Sequence, residues 1–391
     1  MSNGRRAVTA ICLLVLMAVF GLGVNRFLAS RATSVDAPAS NPTKTVIAPQ
    51  LALPGTIYFA DDGGLFALKG TSVTQLQPEG QGWTQPVLLP GGSGLIAVKV
   101  TPNYYSDLYE LSLSGRVMQQ LSHNSGKVTA TSLGNDDWIF YPALGPGNTL
   151  YFSYDYPKAG VCEPGNGYQV DYSIWSTTLG TSIDRSNVVD HAGITEQTWA
   201  NYYTGGDVSP VPLTGGGLIY VDYETAYGGS GELSTPFAGA APGTEVSQIR
   251  MDPRVGSGRC PTSSDGTALT APQDDCAQPT LNPAQTEIAM ICTPVVNGAP
   301  SSTEADLVVA SFDAQTGTIG TLDHLVTGTM AAVPAWSTDG RSLLYLAPES
   351  GDGYFELWYI KNAGTAAPSP PKQITSSLDL DANAAPVWAS S

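Results

Sequence analysis

Six times the chain places a proline at the head of a short apolar stretch, and five times a turn and a second apolar stretch follow. The prolines are Pro86, Pro142, Pro210, Pro279, Pro334 and Pro386, spaced 56, 68, 69, 55 and 52 residues apart. Residues 333–346, VPAWSTDGRSLLYL, carry the unit most clearly: a short apolar strand, the turn Ser337-Thr338-Asp339-Gly340, then a run of strand formers. Leu or Trp stands two residues after the proline in five of the six copies, and Pro212 takes that place in the other. An isolated hairpin is marginal in water, so a repeat of this length predicts a unit that buries its faces by stacking on copies of itself.

Each second strand is followed by an aromatic-rich third strand, a Gly turn and a short polar strand, as in YFELWYIKNAG followed by KQITS. Four antiparallel strands per repeat is the unit of a β-propeller blade. The sixth copy, APVWASS, supplies only a first strand, whereas residues 56–77, TIYFADDGGLFALKGTSVTQLQ, supply three strands that lack one. Joining the two ends completes a blade and leaves no free sheet edge. The expected fold is therefore all-β, a six-bladed β-propeller closed between its N- and C-terminal strands.

The stretch AVPAWSTDGRSLLYLAPESGDGYFELWYIKNAG resembles the repeat of TolB-type six-bladed propellers: a Pro-x-Trp-Ser-x-Asp-Gly turn, an apolar strand, then an aromatic-rich strand ending in Gly. The match is fair at Pro142 and Pro386 and degenerate at Pro86, Pro210 and Pro279. The resemblance implies the fold over residues 54–391 and an exported, protein-binding habit, with no chemistry and no cofactor attached.

The N-terminus gives the address. Arg5-Arg6 precede an uninterrupted apolar run from Ala7 to Val24, long enough to cross a bilayer. By the positive-inside rule everything after Val24 is exported. Residues 1–29 are read as a signal anchor or transmembrane helix and residues 30–53 as a disordered linker, which puts the propeller on the extracytoplasmic side of a cell membrane. Cleavage near Ala29 or Ala32 would instead release a secreted protein. With 17 Lys and Arg against 34 Asp and Glu, the net charge of −17 argues against nucleic acid and anionic lipid surfaces as partners. In an oxidising compartment Cys162, Cys260, Cys276 and Cys292 allow three pairings. The reading adopted joins Cys260 to Cys276, which flank a loop-like stretch.

Little in the sequence carries chemistry. There is no Gly-x-Ser-x-Gly, and His123, His191 and His324 all fall near outer strands, so catalytic and metal roles are left empty. Asp379-Leu380-Asp381-Ala382-Asn383 resembles the start of a calcium loop but lacks its Gly and distal Glu. Loop lengths are more telling: in a four-stranded blade the second-to-third and blade-to-blade connections share one face, and the long connections are assigned to it, the stretch between Cys260 and Cys276 among them. Long loops on one rim of a rigid ring are where binding concentrates. They carry Tyr104, Tyr105, Asp107, Asp155, Tyr156, Tyr172, Trp199, Tyr223, Glu224, Asp352 and Tyr354, the expected contacts for a protein or peptide partner, since Tyr and Trp offer large contact area at small entropic cost. The competing reading is a glycan-acting hydrolase or lyase using carboxylates such as Asp107, Asp155, Asp171 and Glu224 over the central channel.

Overall fold

In a computed structural model, the described residues are 45–46, 53–102, 105–124, 138–154, 172–183, 188–192, 206–224, 235–253, 266–349 and 353–389. They form six antiparallel sheets arranged as blades. Blade 1 pairs the C-terminal strand Val387–Ala389 with Thr56–Asp61, followed by Gly64–Lys69 and Ser72–Gln77. Blades 2 to 6 begin with the inner strands Trp83–Leu88, Ile139–Gly145, Asp207–Pro212, Cys276–Leu281 and Ala332–Trp336. Among the described residues helix is confined to 3-10 turns such as Pro90–Gly92 and Pro272–Asp274, and none is long and apolar enough to cross a membrane. The apolar run 7–24 lies outside the described residues. Within the stretch read as a linker, Thr45–Val46 pair antiparallel with Thr375–Ser376.

The ring closes as the truncated sixth copy requires. Thr56, Ile57 and Tyr58 stand opposite Ala389, Trp388 and Val387. The Trp388 indole Nε1–H donates to the Pro54 carbonyl at 2.6 Å, and its ring meets Tyr359 of blade 6 edge-on with centroids 6.1 Å apart.

Each second strand is central in its blade and buried on both faces, which is why these strands read as apolar runs rather than alternating ones. Alternate residues serve opposite neighbours. In blade 2, Leu95 and Ala97 join a cluster with blade 1, while Ile96 and Val98 join one with blade 3. In blade 6, Leu343, Tyr345 and Ala347 pack on blade 5, and Leu344 and Leu346 on blade 1. Six such clusters fill the six seams between blades, the one between blades 3 and 4 being the smallest.

Outer strands are tied down by a recurring clasp. The third-strand amides of Leu108, Ile249 and Leu357 donate to the hydroxyls of Ser122, Thr270 and Thr375, which lie just past their fourth strands. In blades 2 and 6 the hydroxyl donates on to an acidic neighbour, Asp107 or Glu356. Asp107 is 0 % exposed, and its carboxylate also accepts from Gln120 and the Asn124 amide. The structure thus withdraws Asp107 from the partner-binding rim and from any glycan chemistry: it holds blade 2 together.

Two further expectations are corrected. Cys276 is disulfide-bonded to Cys292, not to Cys260. The two cysteines are direct cross-strand partners in the first hairpin of blade 5, which brings their Cα atoms to 4.0 Å, whereas Cys260 lies outside the described residues. Residues 254–265 connect the third strand of blade 4, Val246–Asp252, to its fourth, Thr267–Ala268. Of the stretch between Cys260 and Cys276, expected to join two blades, only residues 269–275 connect blade 4 to blade 5.

Candidate functional site

The repeat proline is what shapes the centre of the ring. In blades 2 to 6 the residue before it, Gln85, Tyr141, Ser209, Gln278 or Val333, has a φ between +41° and +56°. At each of these places the ladder shifts register, so that the pre-proline residue and the proline together oppose one residue of the second strand. This is a β-bulge in which proline also removes an N–H from the ladder. For Tyr141, and still more for β-branched Val333, the left-handed backbone is strained, a conformation that the surrounding blades must hold in place. All five pre-proline residues line the central channel.

The channel is divided into two cavities. Both are lined by Gln85, Tyr141 and Asn383, which therefore form the partition. The Gln85 carboxamide accepts from the Tyr141 amide at 2.6 Å and donates to the Asn383 carbonyl at 3.1 Å. From the opposite side of the ring Gln278 accepts from the Val333 amide at 2.7 Å and donates to the Ala382 carbonyl at 3.1 Å. The connection from blade 6 to blade 1 thus dips into the axis and is held there by two glutamines. Its Asp381 carboxylate accepts from Thr84 Oγ1 and from the Asn383 amide, and the Asp379 amide donates to Asp61. The residues read as a calcium-loop start are used in this way to cross the channel. Among the described residues no three His, Cys, Asp or Glu side chains gather as a metal site.

On the long-loop side the cavity has a volume of about 500 Å³ and is walled by Phe140, Tyr141, Tyr172, Tyr223 and two carboxylates, Asp381 and Glu245. Tyr172 is set by Gly206, which has a φ of +66° and bridges it in parallel; a Cβ at that glycine would stand 2.1 Å from the Tyr172 carbonyl oxygen. The Phe140 and Tyr172 rings meet edge to face with centroids 6.3 Å apart. Although 38 % of Tyr223 stays exposed, desolvation of its phenol and the nearby Asp275 carboxylate hold it above its usual value, a neutral hydrogen-bonding group at physiological pH.

Of the rim residues expected from the sequence, Tyr172 and Tyr223 come together at this mouth. Tyr105 is half-buried, with its carbonyl accepting from the Thr101 amide, and Tyr354 is 52 % exposed beside its third strand, both outside the cavity wall. Glu224 ends the second strand of blade 4. Tyr104, Asp155, Tyr156, Asp171, Trp199 and Asp352 lie outside the described residues. The reading missed Phe140, Tyr141, Glu245 and the channel role of Asp381. His324, expected to be an edge residue, bonds Asp306 at 2.8 Å on the outside of blade 5.

The opposite cavity, on the short-turn side, has a volume of about 410 Å³. All six repeat prolines line it, with Trp336 and Trp388, and no charged side chain among the described residues contributes to its wall.

A blade ring closed by its own termini, with bulged inner strands around a divided channel, defines a six-bladed β-propeller. In fold it is similar to TolB from Acinetobacter baumannii, which superposes with a TM-score of 0.53 at 15 % identity, over 86 % of this chain and 67 % of that one. A TolB-assigned protein from Agrobacterium tumefaciens matches at 10 % identity over 85 % of this chain and 93 % of that one (TM-score 0.46). A puromycin hydrolase matches at 12 % identity over 85 % of this chain but only 41 % of its own length (TM-score 0.43). No protein-family model and no curated protein sequence matches the chain.

Proposed function

We propose that this is a membrane-tethered, extracytoplasmic binding propeller that captures a protein or peptide partner on its long-loop face, without catalysis. The observation that carries the reading is the mouth of the channel on that face, where aromatic rings and the carboxylates of Asp381 and Glu245 share one open cavity. Such a wall suits a basic side chain offered by the partner, through cation–π contact and charge pairing. Around it Tyr223, Val296 and Tyr354 leave 38 %, 57 % and 52 % of their surface exposed, apolar area of the kind that anchors interfaces. The tether rests on the apolar run 7–24 and the paired arginines before it.

The test is affinity capture from native membranes with the full chain, repeated with Tyr172→Ala and Tyr223→Ala together. Loss of one specific partner from the double variant, at an unchanged melting temperature, is the expected result; capture that survives both substitutions contradicts the assignment. A second reading, a glycan-acting hydrolase or lyase, is favoured by the presence of two carboxylates on one cavity. It requires turnover of an oligosaccharide that Asp381→Asn abolishes.

A further inference from the structure

We propose that the short-turn cavity is a second binding site, independent of the partner reading, and that it takes a small uncharged molecule with an apolar ring body. Its wall decides the class. Proline supplies no N–H, and six of them face the cavity. Each of the two glutamine carboxamides at its floor commits its oxygen and one N–H to main-chain groups of other segments. Among the described residues no carboxylate, ammonium or guanidinium group lines it, so a charged ligand would lose its hydration with nothing to replace it. A volume of about 410 Å³, closed at one end by the partition, suits a small molecule.

The indoles of the wall add no donor. Trp336 lines this cavity and is 8 % exposed, and its indole Nε1 is buried without a hydrogen-bond partner. The other tryptophan of the wall, Trp388, has its N–H satisfied by the Pro54 carbonyl, and the neighbouring Trp358 by that of Ala347. The Trp336 N–H is sealed in the seam between blades 5 and 6, so neither indole presents a donor to the cavity. The two mouths of one channel thereby differ in kind: aromatic and acidic on the long-loop side, proline-walled and neutral on the other.

The experiment compares three probes of one shape, 2-naphthamide, 2-naphthoate and 2-naphthylmethylammonium, by ligand-observed NMR saturation transfer on the full chain. Expected is binding of the neutral amide at least about tenfold tighter than the carboxylate. Ala385→Trp, at an exposed position of the wall, should abolish it by filling the cavity. Tyr172→Ala with Tyr223→Ala should leave the amide untouched. Failure of the amide to bind, equal binding of the carboxylate, or amide binding that survives Ala385→Trp overturns the proposal. The ammonium probe reports on the other mouth, so the two sites succeed or fail separately.

Discussion

Replacing Gln85 tests whether the ring is stapled across its own axis. Its carboxamide makes two bonds to main-chain groups of two other segments, the Tyr141 amide and the Asn383 carbonyl. At about 1 kcal/mol of net stability per hydrogen bond, Gln85→Ala should cost about 2 kcal/mol. The value stays at that level because cavities adjoin the site on both sides, so that water can reach the vacated groups. For a ring of this size that lowers Tm by roughly 4 °C, read by circular dichroism. Gln278→Ala should cost the same, and the double variant less than the sum, because the two glutamines hold adjacent carbonyls of one segment. Gln85→Glu sharpens the test: a carboxylate can accept from the Tyr141 amide but cannot donate to the Asn383 carbonyl. It should be destabilising at pH 7 and partly recover near pH 4, where the protonated acid regains a donor. A Gln85→Ala or Gln85→Glu protein that melts with the wild type at pH 7 would refute the stapled partition.

Other perturbations follow from the same contacts. Trp388→Ala removes the indole bond to Pro54 and the packing of the closing strand against blade 6, and should cost about 3–5 kcal/mol in denaturant titration. Cys276→Ser with Cys292→Ser should lose about 3 kcal/mol if loop closure dominates, and peptide mapping without reductant should recover the Cys276–Cys292 pair. Glu356→Ala orphans the Thr375 hydroxyl and the Leu378 amide, and should cost about 2–4 kcal/mol with blade 6 losing amide-exchange protection first. Burial lifts the Asp275 carboxyl above its usual 3.8 against the pull of hydrogen bonds from Ser247 and Thr293. The folded state therefore holds that proton more tightly than the unfolded one, and the contribution, full below 3.8, is lost as pH rises through the folded value. Asp275→Asn should flatten the fall in stability between pH 4 and pH 7; a steeper fall would contradict the assignment.

The ring was legible because its repeat is written in residues with strong local meaning: a proline before each inner strand, apolar runs wherever a strand is covered on both faces, and a last copy cut after one strand. The match of Trp388 to Ile57 across the termini follows from that cut. What escaped was side-chain direction. Gln85, Tyr141, Ser209 and Gln278 read as ordinary strand starts, yet the bulge at each X-Pro step turns them toward the axis. Asp107 read as a loop carboxylate because it stands one residue inside its strand, and only the distant Ser122 reveals its structural use. The disulfide was within reach: a hairpin turning at Pro283 to Thr286 brings Cys276 opposite Cys292, a register argument that loop length alone obscured. Glu245 and Asp381 had no local signal, since their meeting at one mouth depends on how far two connections lean over the channel.

The most direct test of the account is site-specific photo-crosslinking in native membranes, with a benzophenone amino acid placed at Tyr223 on the long-loop mouth or at Thr338 on the short-turn side. The account predicts one protein partner crosslinked from position 223 and none from 338. A partner captured equally from both positions, or from 338 alone, would contradict the assignment of the long-loop face.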